Sequence, residues 1–575
     1  MSKLKIQVYV PTAFKAVRYL ASINYILKMS HELTGKHPDQ LEWLPPYSGL
    51  GNSSLMMEEY ENSCPDIVCC GVYLWNQDAL HEFVSIVKEK YPNTVTILGG
   101  PDVAWKTQQQ YANDYPYHDY MIYGDSEAAF PQLIDNIIER KTSSVDLINI
   151  PNLIFRDKKG TAIRTKHEIY KGSMYTDHSP WLHSRDDVVR DINAIKDTGV
   201  AAVVSWDSDR GCPYKCTFCD WSAGLHTKVT RKKYDAKDEL QFFAEQGVRV
   251  SFMNANLGIY AGDADIMEFI WAAESSGKYP GFTAVTPSWA KVNKDRVHEI
   301  YQIQKKYFGY IVAKTSLQSI TEEVLKNIDR PSIPWPEHKK MLLDLRKDEV
   351  PVHFYPELIV GLPGETRESW DHMMREFTDL YPIQDMYFSQ WHILPNSPGF
   401  DKEYQKKMGM KIVRTAMPFD EVDLIDEGVS EDRMVQMLVQ NEAWPSTKEP
   451  IGYHYDLCLE TYSSTFEDLM YMNIATGVMF QLQRLANPSV AKKMYDSYRP
   501  VMWEKAQRDV AKFRRYMQMY GGIMPLYLWH ENKMWQYREA FFKEEITNNF
   551  LSKIANGKFI GHDTKVSNFG DILRS

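Results

Sequence analysis

Cys212, Cys216 and Cys219 put three thiols on one short stretch in a C-x3-C-x2-C spacing, with Phe218 directly before the last of them. Thiolates are soft ligands. Three on one loop can hold three irons of a 4Fe–4S cluster and leave the fourth iron without a protein ligand. An open iron is a place for chemistry, whereas a fully ligated cluster mainly carries electrons. The rival occupant is a structural zinc ion, which normally needs four Cys or His ligands. His226 is the nearby candidate for a fourth, at a spacing that fits no common zinc pattern. Three unliganded thiols would leave their crowding without a reason.

The chain that carries this loop has 575 residues, 44% hydrophobic and 25% charged, the composition of a globular protein of several domains. A net charge of −10 argues against nucleic acid as the default partner, because phosphate binding wants concentrated Lys and Arg. The basic cluster Lys228–Lys233 reads as a solvated face or a site for one anionic group. Seven cysteines in so long a chain do not form a disulfide framework. Cys64 and Cys458 are scattered, and Cys69 and Cys70 lie in an apolar run that reads as core. The start, Met1–Val10, lacks the apolar stretch of a signal peptide, and no uncharged apolar run approaches a membrane helix in length. The expectation is a cytoplasmic protein with no membrane association.

Alternating strands and helices must position the loop. Over residues 1–140, strands are expected at Lys5–Val10, Asp66–Leu74, Thr94–Leu98 and His118–Tyr123. Helices are expected at Ala13–Leu33, Asp78–Lys90 and Ala128–Glu139. That order implies a doubly wound, flavodoxin-like or Rossmann-like domain, with ligands beyond the carboxyl ends of its strands. Residues 141–198 read as a connector with a β-hairpin around Asp157–Gly160.

The β-then-α rhythm resumes over residues 199–410, with strands expected at 201–205, 249–254, 282–285, 310–317, 352–360 and 386–394. Six such units indicate a partial (β/α)6 barrel of the TIM type, with chemistry at the carboxyl ends of the strands and the cysteine loop after the first. Residues 411–575 read as a mainly α-helical domain, with helices at 431–443, 465–486 and 500–520. Its Met and aromatic stripes, such as Tyr516–Tyr520 and Met534–Tyr537, read either as helix core or as a substrate cap. Gly557–Ser575 is polar.

The Cys212–Trp221 stretch resembles the signature of the radical S-adenosylmethionine (SAM) enzymes. The stretches Asn254–Asp263, Ser316–Ile333, Glu357–Thr366 and Leu394–Pro398 resemble motifs of the subgroup with an N-terminal cobalamin (B12)-binding domain. So do Gly71–Asn76, Leu98–Asp102 and Tyr123–Glu127. The resemblance covers about residues 1–410. It implies that Cys212, Cys216 and Cys219 ligate a 4Fe–4S cluster whose open iron holds the methionine end of SAM. It implies that Phe218, Asn254, Gln318, Ser319, Glu357, Gly361 and Gly364 surround SAM. For cobalamin it implies contacts from Tyr73, Trp75, Gly99, Gly100, Pro101, Gly124 and Glu127. No catalytic residue beyond the cluster ligands is implied.

Two departures stand out. The Asp-x-His-x-x-Gly motif that supplies a lower axial His to cobalt is absent from the first domain, and Asn254 stands where Asp is commoner. The implied activity is methyl transfer to an unactivated centre of a small-molecule or peptide substrate, with flavodoxin or ferredoxin as an external electron donor. Radical rearrangement or cyclisation without methyl transfer is an alternative. A non-catalytic protein binding zinc or a regulatory ligand is another.

Overall fold

The computed structural model describes residues 3–12, 17–168, 174–222, 229–260, 262–278, 283–284, 293–347, 351–380, 383, 386–418, 452–482 and 488–519. His226, the expected helix at 431–443 and the stretch Gly557–Ser575 lie outside them.

The first sheet has seven strands. In chain order they are β1 (Leu4–Tyr9), β3 (Leu41–Trp43), β4 (Ile67–Gly71), β5 (Val95–Gly99), β6 (Tyr120–Ile122), β7 (Leu153–Arg156) and β8 (Ala162–Arg164), with β2 (Val17–Leu20) belonging elsewhere. Spatial order is β3-β1-β4-β5-β6-β7-β8. The first five run parallel, and β7 and β8 add antiparallel at one edge. Every residue of β4 is buried, as a central strand covered by helices on both faces requires. The hairpin expected in the connector is therefore part of this sheet, its turn at Asp157–Gly160 closed by Gly160 N donating to Asp157 O at 3.0 Å.

Two further parallel sheets follow. One has the order β13-β12-β9-β2, from β9 (Ala201–Trp206), β12 (Arg249–Phe252) and β13 (Thr283–Ala284). The other is β14 (Ile311–Gln318), β15 (Val352–Val360) and β16 (Tyr387–Gln390). Along β14 and β15 burial alternates residue by residue, so one face packs under helices and the other lines an interior. Thr366 caps the helix Arg367–Thr378 after β15, its hydroxyl accepting from Ser369 N at 3.2 Å.

Two expectations need correction. Residues 13–33 were expected to be one helix, yet Val17–Leu20 forms β2 in the β9 sheet and the helix is Ile23–Thr34. A short apolar run reads equally as strand or helix, and here a vacant edge beside β9 decided it. That helix then ties the two parts together. Tyr25 donates to Asp191 at 2.8 Å, while His31 sits 3.3 Å from Asp135 on the first domain's helix Ser126–Ile138. The second correction lies after residue 410. The chain opens there with an antiparallel pair, β17 (Lys411–Pro418) and β18 (Gly452–Glu460), before the helices Phe466–Leu482 and Pro488–Met519.

Candidate cofactor-binding site at the cysteine loop

The cysteine loop leaves β9 past a short antiparallel pair, β10 (Asp209–Arg210) with β11 (Thr230–Arg231). Cys212 and Cys216 are buried and Cys219 is partly exposed, with no disulfide among them. The backbone pins the loop on two sides. Thr217 N donates to Ile328 O at 2.9 Å, and Gly399 N donates to Thr217 O at 2.7 Å. Phe218 packs with Trp391, Leu362 and Ile393 in a small apolar cluster.

Two polar groups address the sulfurs directly. Asn256 Nδ2 donates to Cys212 Sγ at 3.1 Å. The Arg330 side chain reaches Cys216, and its guanidinium lies 5.8 Å from the Phe218 ring. Among the described residues no three His, Cys, Asp or Glu converge around a point that would hold one ion. The donor set, three sulfurs with a buried cation and an amide beside them, fits a cluster.

Several expected site residues are engaged within the protein. Asn254 Nδ2 donates to Ser208 Oγ and Asp209 Oδ2, both at 2.9 Å, and so braces the approach to the cysteine loop. Burial and the neighbouring Asp263 push Asp209 up to about 6. Ser319 Oγ donates to the buried Glu365 at 2.6 Å, and Thr321 donates to the same carboxylate at 3.1 Å. Glu357 pairs with Lys314 at 3.3 Å and accepts from Ser316 Oγ. Gln318 is held at φ 64°, in the left-handed region that non-glycine residues rarely adopt, at a register break in the β14–β15 ladder. Gly361 has φ +82°, and a Cβ there would lie 2.4 Å from Leu469 Cδ1, so its close neighbour is the helix Phe466–Leu482. Gly364 N donates to Ser463 Oγ at 2.7 Å.

The loops after β4, β5 and β6 gather the residues expected to meet cobalamin. Tyr73 and Trp75 stack with ring centroids 4.7 Å apart, and Trp75 is 42% exposed. Gly100 has φ +109°, and a Cβ there would lie 2.4 Å from Val72 O, so glycine is needed for one loop to pass the other. Gly99 lies in the same turn, and Gly124, at φ +73°, leads into the helix Ser126–Ile138, which has Glu127 in its first turn. Pro101 O accepts from Asn396 Nδ2 at 2.9 Å. Asn396 also donates to Val103 O at 2.9 Å, and Lys106 Nζ donates to Asn396 O at 2.7 Å.

Glu127 is not turned to an open edge. It is buried and ion-paired with Arg210, two residues before Cys212. Arg210 also lies 3.6 Å from Asp207, 3.9 Å from Asp125 and 4.0 Å from the centre of the Tyr175 ring. Burial opposes its charge, but Glu127, Asp207 and Asp125 hold it firmly protonated. Asp102 is buried nearby with Oδ2 lacking a hydrogen-bond partner, and burial reinforced by Asp220 of the cysteine loop pushes it up to about 8. The carboxyl edge of the first sheet thus meets the cysteine loop through named side chains. Arg210, Arg330, Asn396 and Asp102 were not singled out from the sequence. The Leu394–Pro398 and Leu98–Asp102 stretches and the one running from Ser316 through Arg330 did mark three of these positions.

No family model matches the chain. It is 28% identical over 414 residues to the cobalamin-dependent radical SAM methyltransferase TokK of Streptomyces tokunonensis, covering 70% of this chain and 58% of TokK. It is 28% identical over 383 residues to the 2-(S-pantetheinyl)-carbapenam-3-carboxylate methyltransferase of Streptantibioticus cattleyicolor, covering 66% of this chain and 54% of that protein. The matched stretches therefore span little more than half of these curated relatives. Among solved structures, the apo form of the cobalamin-dependent S-adenosylmethionine radical enzyme OxsB superposes with a TM-score of 0.54 at 12% identity, over 95% of this chain and 81% of OxsB. The α/β fold with parallel sheets is shared with that structure. With its three-cysteine loop at the end of a parallel strand, preceded by a doubly wound domain, the chain is similar to radical SAM proteins with an N-terminal cobalamin-binding domain.

Proposed function

We propose that this protein is a cobalamin-dependent radical SAM methyltransferase. The observation that carries the reading is the meeting of two strand-end sites: the cysteine loop after β9, and the loops after β5 and β6 joined to it through Arg210 and Asn396. In α/β sheets ligands bind beyond the carboxyl ends of the strands, so two such edges face to face can hold two cofactors over one substrate. The relatives named above as methyltransferases support the direction of the chemistry.

The β9–β12–β13 and β14–β15–β16 sheets are then the two arcs of a partial (β/α)6 barrel. The domains are residues 1–140 for cobalamin, 141–198 as connector, 199–410 as the radical core and 411–575 as a cap with helices. Cys212, Cys216 and Cys219 would hold a 4Fe–4S cluster, and Phe218, Asn254, Gln318, Ser319, Glu357, Gly361 and Gly364 would lie around SAM. Tyr73, Trp75, Gly99, Gly100, Pro101 and Gly124 would form the edge toward cobalamin, with Glu127 held behind it by its ion pair with Arg210. When bound, the cluster, SAM and cobalamin supply reductive SAM cleavage and a methyl carrier.

The protein's own work is placement and exclusion. Backbone hydrogen bonds through Thr217 fix the loop, the apolar cluster around Phe218 and Trp391 keeps water from its outer side, and Arg210 with Asn396 sets the spacing of the two edges. A small-molecule or peptide substrate and an external electron donor complete the scheme. Among the described residues no helix is long and apolar enough to cross a membrane.

Product analysis tests the proposal. Anaerobic protein supplied with SAM, reductant and cobalamin should form 5′-deoxyadenosine, and with a methyl-accepting substrate also S-adenosylhomocysteine. 5′-Deoxyadenosine without S-adenosylhomocysteine during substrate turnover would point to rearrangement and overturn methyl transfer.

A further inference from the structure

We propose that Arg330 is the fixed counter-charge of the cysteine loop and that it raises the reduction potential of the cluster held there. This rests on the functional reading above. Arg330 follows the left-handed residue Asp329 at the end of the loop after β14, and only 5% of it is exposed. One edge of the guanidinium donates to the Ser316 carbonyl, its plane lies near the Phe218 ring, and its side chain reaches Cys216. Its Nε has no hydrogen-bond partner.

Among the described residues no carboxylate pairs with this guanidinium. The largest favourable interactions of its charge are with Cys216, Cys219 and Cys212. A buried charge with no counter-charge is costly, and a guanidinium cannot escape that cost by shedding its proton. The compensation must therefore come from the sulfurs. Neutral thiols offer little. Three thiolates around a cluster offer a net negative charge, and that charge grows by one when an electron arrives from the external donor. Cluster potentials respond to net charge, hydrogen bonds to sulfur and solvent exposure. Arg330 acts on the first two, by adding a positive charge and by touching Cys216. It is a positioning residue, acting on the reagent and not on the substrate.

The same bookkeeping makes a second prediction. With the cluster removed, Arg330 is a buried cation facing thiols, so Arg330→Met should raise the melting temperature of cluster-free protein while lowering that of loaded protein. A residue that merely packed against Phe218 would shift both in the same direction.

The deciding experiment is an EPR-monitored redox titration of the full chain, anaerobically reconstituted and without SAM, comparing wild type with R330K and R330Q at equal iron and sulfide content. R330Q should have the more negative midpoint, by at least a tenfold change in the reduction equilibrium, about 59 mV for a one-electron couple. R330K should fall between, because it keeps the charge and loses the planar fork. If R330Q does not fold, the R330K shift in the same direction carries the test. Unchanged midpoints in the variants overturn the proposal. So do unchanged midpoints together with weakened SAM binding in a separate equilibrium titration, which would make the guanidinium a ligand for the SAM carboxylate. Wild type that takes up zinc and no iron defeats the functional reading itself, an outcome distinct from an iron-loaded protein whose potential ignores Arg330.

Discussion

Arg210 and Arg330 flank the cysteine loop, and the protein treats their charges in opposite ways. Arg210, at the junction with the first domain, is surrounded by Glu127, Asp125 and Asp207. Arg330, on the far side, has sulfur and an aromatic ring beside it. The first arrangement is complete in the protein alone and serves as a joint. The second has no carboxylate beside it among the described residues, and on the proposal above a bound cluster would complete it. A buried cation already satisfied by carboxylates is architecture, whereas one left facing thiols points to a ligand.

The largest effect should come from breaking the loop itself. Cys216→Ala should lose the cluster and abolish SAM cleavage, read as iron content and 5′-deoxyadenosine. Next comes the joint. Arg210→Met leaves Glu127 buried and unpaired, and should lower unfolding free energy by about 3 kcal/mol in a denaturant titration. Adding Glu127→Leu should recover part of that loss; no recovery would mean that Arg210 acts mainly through its contact with Tyr175.

Asp102 sharpens the comparison through pH. Its folded pKa of about 8 lies above the ordinary carboxylate value. The native state therefore keeps the proton while the unfolded chain loses it, and stability falls as pH rises from about 4 to about 8. Asp102→Asn should remove that slope and raise the stability of cofactor-free protein near pH 8. Thermal melts across this window would show an unchanged slope if the side chain is hydrated. The smallest effect belongs to Asn256→Ala. Loss of its hydrogen bond to Cys212 should move the cluster midpoint in the same direction as R330Q, but by less, because an amide carries no net charge.

Legibility in the sequence follows the range of the interaction. The cysteine spacing, the Thr366 cap and the alternation of most strands and helices are local, and each could be read where it stands. β2 could not, because Val17–Leu20 is too short to declare its period and its partner Ala201–Val204 lies far along the chain. β18 left a signal that went unread: Tyr453, Tyr455, Leu457 and Leu459 alternate with His454, Asp456 and Cys458, the period of a strand. Gly100 and Gly361 were marked as ligand approaches. The structure shows close approach at both, to Val72 and Leu469. Arg210 and Arg330 could be seen as basic residues beside motifs. What each one faces is set by chain segments brought in from elsewhere, and only folding reveals it.

The most direct measurement is a count of iron, sulfide and cobalt in anaerobically reconstituted protein supplied with cobalamin, with the three-alanine variant of Cys212, Cys216 and Cys219 in parallel. The predicted result is about four irons and four sulfides per chain with cobalamin bound, and loss of iron and sulfide but not cobalamin in the variant. Zinc without iron or sulfide in the wild type would contradict the account.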